Sequence, residues 1–148
     1  MSVTITNRQR KRKINSRLLK KIVGTLLAEL EIQETELGIN LVAAPKMALV
    51  NETFLQHKGS TDVITFDYRD KTEGTFLRGE LFVCVDEAFL QALKYGTNWQ
   101  SEVVRYIVHG VLHLLGHEDH RIAARRKMKC EENRLLRGLS HRFPLSKL

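Results

Sequence analysis

Four of the six histidines fall within a single short run, His109-Gly-Val-Leu-His113-Leu-Leu-Gly116-His117-Glu-Asp119-His120. His109 and His113 stand four apart, so on a helix they share one face and can hold one metal ion from successive turns. Gly116 tolerates positive φ, which lets the chain leave the helix and double back. A third ligand ten residues after the first can then return to the same ion, and that position is Asp119. His117 and His120 are its rivals. Three protein ligands leave the fourth position of a tetrahedral zinc ion to water, the feature that separates catalytic from structural zinc. A bare pair of helical histidines can equally be a surface pair or two satisfied core donors. The flanking Val108, Val111, Leu112, Leu114 and Leu115 argue against a solvated face, and the glycine and third ligand argue for the metal.

The residue after the first histidine narrows the chemistry. Zinc peptidases place Glu there as the general base of H-E-x-x-H. Here it is Gly110, which has no side chain to take a proton from water. A metallopeptidase built on this run would lack its base, so proteolysis is disfavoured although the ligand spacing suits it.

The elements that must position these residues are legible in outline. Short strands are predicted over 3–6, 37–44, 62–68 and 79–85, the last two rich in β-branched and aromatic residues. Asn15 can cap a helix carrying Leu18, Leu19, Ile22, Leu26, Leu27 and Leu30 at helical spacing, with Ile14 and Leu19 as a hydrophobic staple. Pro45 suits the start of a helix to about residue 56, and 86–95 reads as another. Thr97-x-x-Gln100 is a possible capping box for the long apolar helix that bears the histidines and stops at Gly116. A basic helix to about residue 139 follows, and the polar stretch 69–74 reads as a loop. Strands clustered among helices predict an α/β (α+β) fold. It would be one compact domain over 1–148, with one mixed β-sheet packed against helices and the metal site on a central helix.

Composition excludes several classes. At 148 residues and 43% hydrophobic content with two prolines, the chain is neither disordered nor long enough to suggest two domains. No apolar run approaches a membrane span, and no secretory signal stands out. Cys84 and Cys130 form no Cys-x-x-Cys pattern, which argues against a disulfide scaffold and predicts a reduced, cytoplasmic setting. The net charge of +7 is unevenly spread. Residues 1–21 hold eight cations and no acid, 22–120 hold seven cations and fifteen acids, and 121–148 hold nine cations and two acids. Basic ends around an acidic middle fit a partner gripped by its phosphates, although Arg17, Lys20 and Lys21 also suit an ordinary solvated helix face. Aromatic content of 7% argues against a broad base-stacking platform.

His109-Gly-Val-Leu-His-Leu-Leu-Gly116, with Ser60-Thr-Asp-Val-Ile-Thr-Phe66 and Asn51 upstream, resembles the YbeY family of metal-dependent endoribonucleases over about residues 40–135. The resemblance implies a compact α/β domain with one Zn2+ per chain. It also implies single-strand-specific RNA cleavage that matures the 3′ end of 16S ribosomal RNA and supports ribosome quality control. Ribosomal RNA, the small ribosomal subunit and ribosome-associated proteins are then the implied partners. Two positions depart from the commonest family pattern. Asp119 stands where the third ligand is usually histidine, and Leu55 stands where the family often has an arginine. His57 and Lys58 are the cations nearest to Leu55.

On this reading zinc activates a water or polarises a phosphoryl oxygen, and Arg105, His57 and Lys58 are candidates to stabilise the transition state. Arg105 shares the histidines' helical stripe, but a salt bridge to Glu102 or another structural carboxylate would also explain it. Asp62 can orient a ligand histidine or a water, or simply cap a turn. The competing class is a non-catalytic RNA-binding ribosome-assembly factor with structural zinc. A fourth ligand from His117 or His120 would favour it.

Overall fold

Leu37, Ile39 and Leu41 alternate with outward-facing neighbours, as do Leu77, Leu81 and Val83, and this period of two builds a sheet with one strongly apolar face. The computed structural model describes residues 2–70 and 76–148. Its strands are Ser2–Asn7 (β1), Glu34–Val42 (β2), Val63–Asp67 (β3) and Phe76–Cys84 (β4), in the order β1-β2-β4-β3. β1, β2 and β4 run parallel and β3 is antiparallel to β4, so the sheet is mixed. The polar stretch 69–74 lies for the most part outside the described residues.

Helices Ser16–Glu29 (α1), Trp99–Leu114 (α4) and Ile122–Arg142 (α5) share one core with the apolar face. The other face is more polar. There Ala44–Leu55 (α2) packs Met47 and Val50 on Ile64, Phe66 and Phe82, while Asn40 and Tyr68 hydrogen-bond Glu80. Val85–Tyr95 (α3) follows β4 directly and packs against α4. Domain class, mixed sheet and central histidine helix are as the sequence predicts. Boundaries shift by up to three residues, and one cap differs. The second strand ends at Val42 because Ala44 already opens α2, and the last begins at Phe76, three residues earlier than predicted. The cap of α4 is Asn98, whose side chain accepts from Ser101 N at 2.8 Å, while Thr97 Oγ1 donates to Glu102 instead. Asn15 caps α1 as predicted, accepting from Leu18 N.

α4 is the central helix because its apolar residues run nearly all the way round. Val103, Val104, Ile107, Val108, Val111 and Leu112 are each almost wholly buried. Gly110 is what lets it lie so close to the sheet: a Cβ there would stand 2.9 Å from Leu81 Cδ2 and 3.3 Å from Val63 Cγ2. A glutamate at 110 would therefore point into the core, so the peptidase base is excluded by packing as well as by residue type. Cys84 is buried and Cys130 exposed, and both are free thiols. Among the described residues no helix is long and apolar enough to cross a membrane.

Candidate metal centre

The one stripe of α4 left half-buried is Arg105, His109 and His113, at four-residue spacing. The two imidazoles lie edge to face with centroids 4.8 Å apart. Beyond His113 the helix ends as the glycine predicts. Gly116 takes φ +99° and donates to His113 O, and His117 N donates to Leu112 O. That reversal returns Asp119 to the histidines, with Asp119 Oδ2 3.8 Å from His113 Nε2. His109, His113 and Asp119 each offer one ligand atom, all within 4.8 Å of one another. The ligand atoms of a tetrahedral zinc ion with bonds of about 2.0–2.1 Å stand roughly 3.4 Å apart, so the group is near that size before any ion draws it in. His117 and His120, the rival ligands, are not part of this group.

A residue that sequence reasoning missed orients the site. Glu132 on α5 is only 4% exposed. Its Oε2 accepts the Nδ1 proton of His109 at 2.8 Å, and its Oε1 accepts from Arg105 Nη1 at 2.8 Å. With Nδ1 engaged, His109 has Nε2 left for a metal, the usual carboxylate–histidine–metal arrangement. Burial alone would raise the Glu132 pKa, but the hydrogen bonds from His109 and Arg105 bring it down to about 2. The same bond holds the His109 pKa above its ordinary value against the pull of burial. His113 shifts the other way, because burial and then the neighbouring His109 disfavour its cation. A neutral imidazole is the form that binds metal. Two imidazoles, one already oriented, and a carboxylate form a donor set that suits zinc.

The remaining predicted residues separate. Arg105 lines a cleft of about 610 Å³ together with Asp62, His109 and Asp119, but its guanidinium is held by Glu132 and by Asn133 Oδ1 at 2.9 Å. The structural carboxylate anticipated for it is thus Glu132, and Glu102 binds Thr97. Asp62 stands both at a turn and in the cleft. Its Oδ1 accepts from Val63 N at 2.7 Å, closing its own turn, and the residue lines the cleft. His57 and Lys58 are exposed beyond the C-terminal end of α2 and are not among the residues lining the cleft. Asn51, 6% exposed, donates to Gly59 O at 2.9 Å and so pins that loop to α2. Arg125 and Lys129 on α5 complete the cleft's basic wall.

The basic N-terminal run is also divided. Lys11 pairs with Asp86 at 3.2 Å, and the Arg12 guanidinium sits 3.7 Å above the Phe89 ring, so neither is a free cation. Arg8, Arg10 and Lys13 are exposed. The two basic ends meet where α1 packs on α5, since Lys21 and Arg142 line one groove. Neither Lys21 nor Arg142 lines the metal cleft, which the C-terminal end reaches through Arg125 and Lys129.

The profile of the family described as Endoribonuclease YbeY matches residues 4–140. The endoribonuclease YbeY of Chlorobium phaeovibrioides is 32% identical over 139 residues, covering 94% of this chain and 91% of the relative. That of Myxococcus xanthus is 35% identical over 124 residues, 82% of this chain, but the match spans only 42% of the longer relative. A protein of Thermotoga maritima solved in solution has the same fold, with a TM-score of 0.67 at 22% identity over 93% of this chain and 89% of that one.

Proposed function

The chain belongs to the endoribonuclease YbeY family, and from that premise we propose that it is a zinc-dependent endoribonuclease that hydrolyses single-stranded RNA. The observation that carries the reading is the His109–His113–Asp119 group, of which His109 and Asp119 line a cleft together with Arg125. A zinc ion held there would supply Lewis acidity towards a phosphoryl oxygen and make water acidic enough to react near neutral pH. The chain's own residues do the rest. Glu132 fixes the ring of His109, burial keeps His113 neutral, and the loop after Gly116 carries the carboxylate. Arg125 would draw the phosphate backbone into the cleft, while Arg105 and Lys129, both paired with Glu132, mainly hold that carboxylate in place. Asp62 Oδ2, which has no described partner, is available to orient a water on the cleft's far wall.

The substrate we propose is ribosomal RNA presented on the small ribosomal subunit, with cleavage at the 3′ end of the 16S species, a role in ribosome quality control and a cytoplasmic site of action. The motif resemblance and the basic ends support this. A non-catalytic factor with structural zinc would need a fourth protein ligand, and among the described residues the group offers three.

The test is to incubate zinc-loaded protein with single-stranded RNA, duplex RNA and casein, with His113→Ala as control. Chelator-sensitive cutting of the single strand that the variant lacks is the expected result. Cutting of casein, or no cutting of RNA by fully metallated protein, overturns the reading. Small subunits carrying unprocessed 3′ ends should be trimmed by the same preparation.

A further inference from the structure

The cleft continues past the metal group. On the far side of Arg105 lies a second cavity of about 450 Å³, which shares Thr97, Glu102 and Arg105 with the first. The two adjoin to form a trough along the seam of α4 and α5, with His109 at one end and Ser101, Asn133, Arg137 and Ser140 at the other. Eight residues of α4 separate His109 from Ser101, about 12 Å of helix at 1.5 Å per residue. That is room for more than the scissile phosphate.

Charge is distributed unequally along the trough, with Glu102, whose Oε1 accepts from Thr97 Oγ1, as the one carboxylate lining both halves. Near the metal, Arg105 and Lys129 both face the buried Glu132 carboxylate, at 2.8 Å and 3.5 Å. Their positive charge is largely neutralised locally. Arg137, at the far end, is exposed, and its guanidinium meets no acceptor among the described residues. Around it are donors suited to phosphate oxygens. Asn133 spends its carbonyl oxygen on Arg105, which leaves its amide NH2 group for another acceptor, and Ser101 adds a hydroxyl, while the Ser140 hydroxyl already donates to Arg137 O.

We infer that this distal half of the trough is a second phosphate subsite, in which Arg137 and Asn133 hold the backbone of the substrate strand at least one nucleotide away from the metal. The inference rests on the single-strand endoribonuclease reading. A charged groove that tracks the backbone is one of the parts by which proteins hold single strands without sequence preference. It also gives the enzyme a minimum substrate length, because a strand too short to reach Arg137 forgoes that contact.

The test measures binding rather than turnover. Zinc-loaded wild type, Arg137→Gln and Arg137→Glu are titrated against fluorescent 2′-O-methyl oligouridylates, a dinucleotide and a hexanucleotide, at several salt concentrations. Arg137→Glu should weaken the hexamer about tenfold and Arg137→Gln less, with a shallower salt dependence, while the dinucleotide changes by less than about twofold. Equal loss at both lengths, or none at either, overturns the subsite. So does equal displacement of the hexamer by a hexa-aspartate peptide, which would make the trough a docking site for acidic protein. If wild type cuts no unmodified RNA but the length-dependent loss persists, the subsite stands and the nuclease reading falls. If wild type cuts RNA and both variants bind as wild type does, the reverse holds.

Discussion

Replacing Glu132 with glutamine keeps the side chain's size and removes its charge. In the native protein that carboxylate is almost fully buried between His109 and Arg105, with both oxygens engaged at 2.8 Å. The fall of its pKa from an ordinary 4.5 to about 2 corresponds to roughly 3 kcal/mol favouring the ionised form. Arg105 is 27% exposed at its side chain and retains Asn133, so part of that energy is recovered in the variant. We expect Glu132→Gln to cost about 2 kcal/mol in urea unfolding of the metal-free protein at neutral pH. Because the folded-state pKa is depressed, the stabilisation is fully present above 4.5 and is lost as pH falls towards about 2. The gap between wild type and variant should close over that interval. Separately, zinc affinity measured by competition with a chelating dye should fall about 10–100-fold, as it does when the partner of a ligating histidine is removed. Lost stability with unchanged zinc affinity would make Glu132 a counter-ion for Arg105 and refute its role in positioning His109.

Asp119→Ala should leave well under one zinc per chain by metal analysis, whereas His120→Ala should bind a full equivalent; the opposite pair of results means that His120 is the third ligand. Gly110→Ala pushes a methyl group against the Leu81 side chain at 2.9 Å and should lower stability by about 1–3 kcal/mol in a urea titration, with no peptidase activity from Gly110→Glu. The basic run should behave as two sets. Neutralising Arg8, Arg10 and Lys13 should weaken RNA binding across sequences and flatten its salt dependence, while Arg12→Ala should mainly lower the melting temperature by losing its seat over Phe89. Unchanged RNA affinity in the first set would make those cations a solvated face.

Much of this molecule was determined locally and so could be read from residue order. The pairing of His109 with His113 needs only a helix, the turn at Gly116 needs only a residue that accepts φ +99°, and Asp119 follows within the reach of that turn. The strands announce themselves because alternation is a property of neighbours in the chain. Where a choice lay between adjacent residues, local signals were weaker: Thr97 and Asn98 both suit a cap, and the backbone path selected Asn98.

Tertiary structure decided what the site is made of beyond its ligands. Glu132 lies 23 residues from His109. Only the packing of α5 on α4 brings its carboxylate to the imidazole, and its one sign in the sequence was to be one of two acids in the strongly basic stretch 121–148. The same packing paired Arg105 with the buried Glu132 carboxylate, left Arg137 without an acceptor among the described residues, and removed Arg12 from the basic surface by stacking it on Phe89. Periodicity reports which face of an element is apolar, but the partner that face or its polar stripe meets depends on how distant elements pack. In this chain the candidate ligands were local, and the charges around them were assigned by the fold.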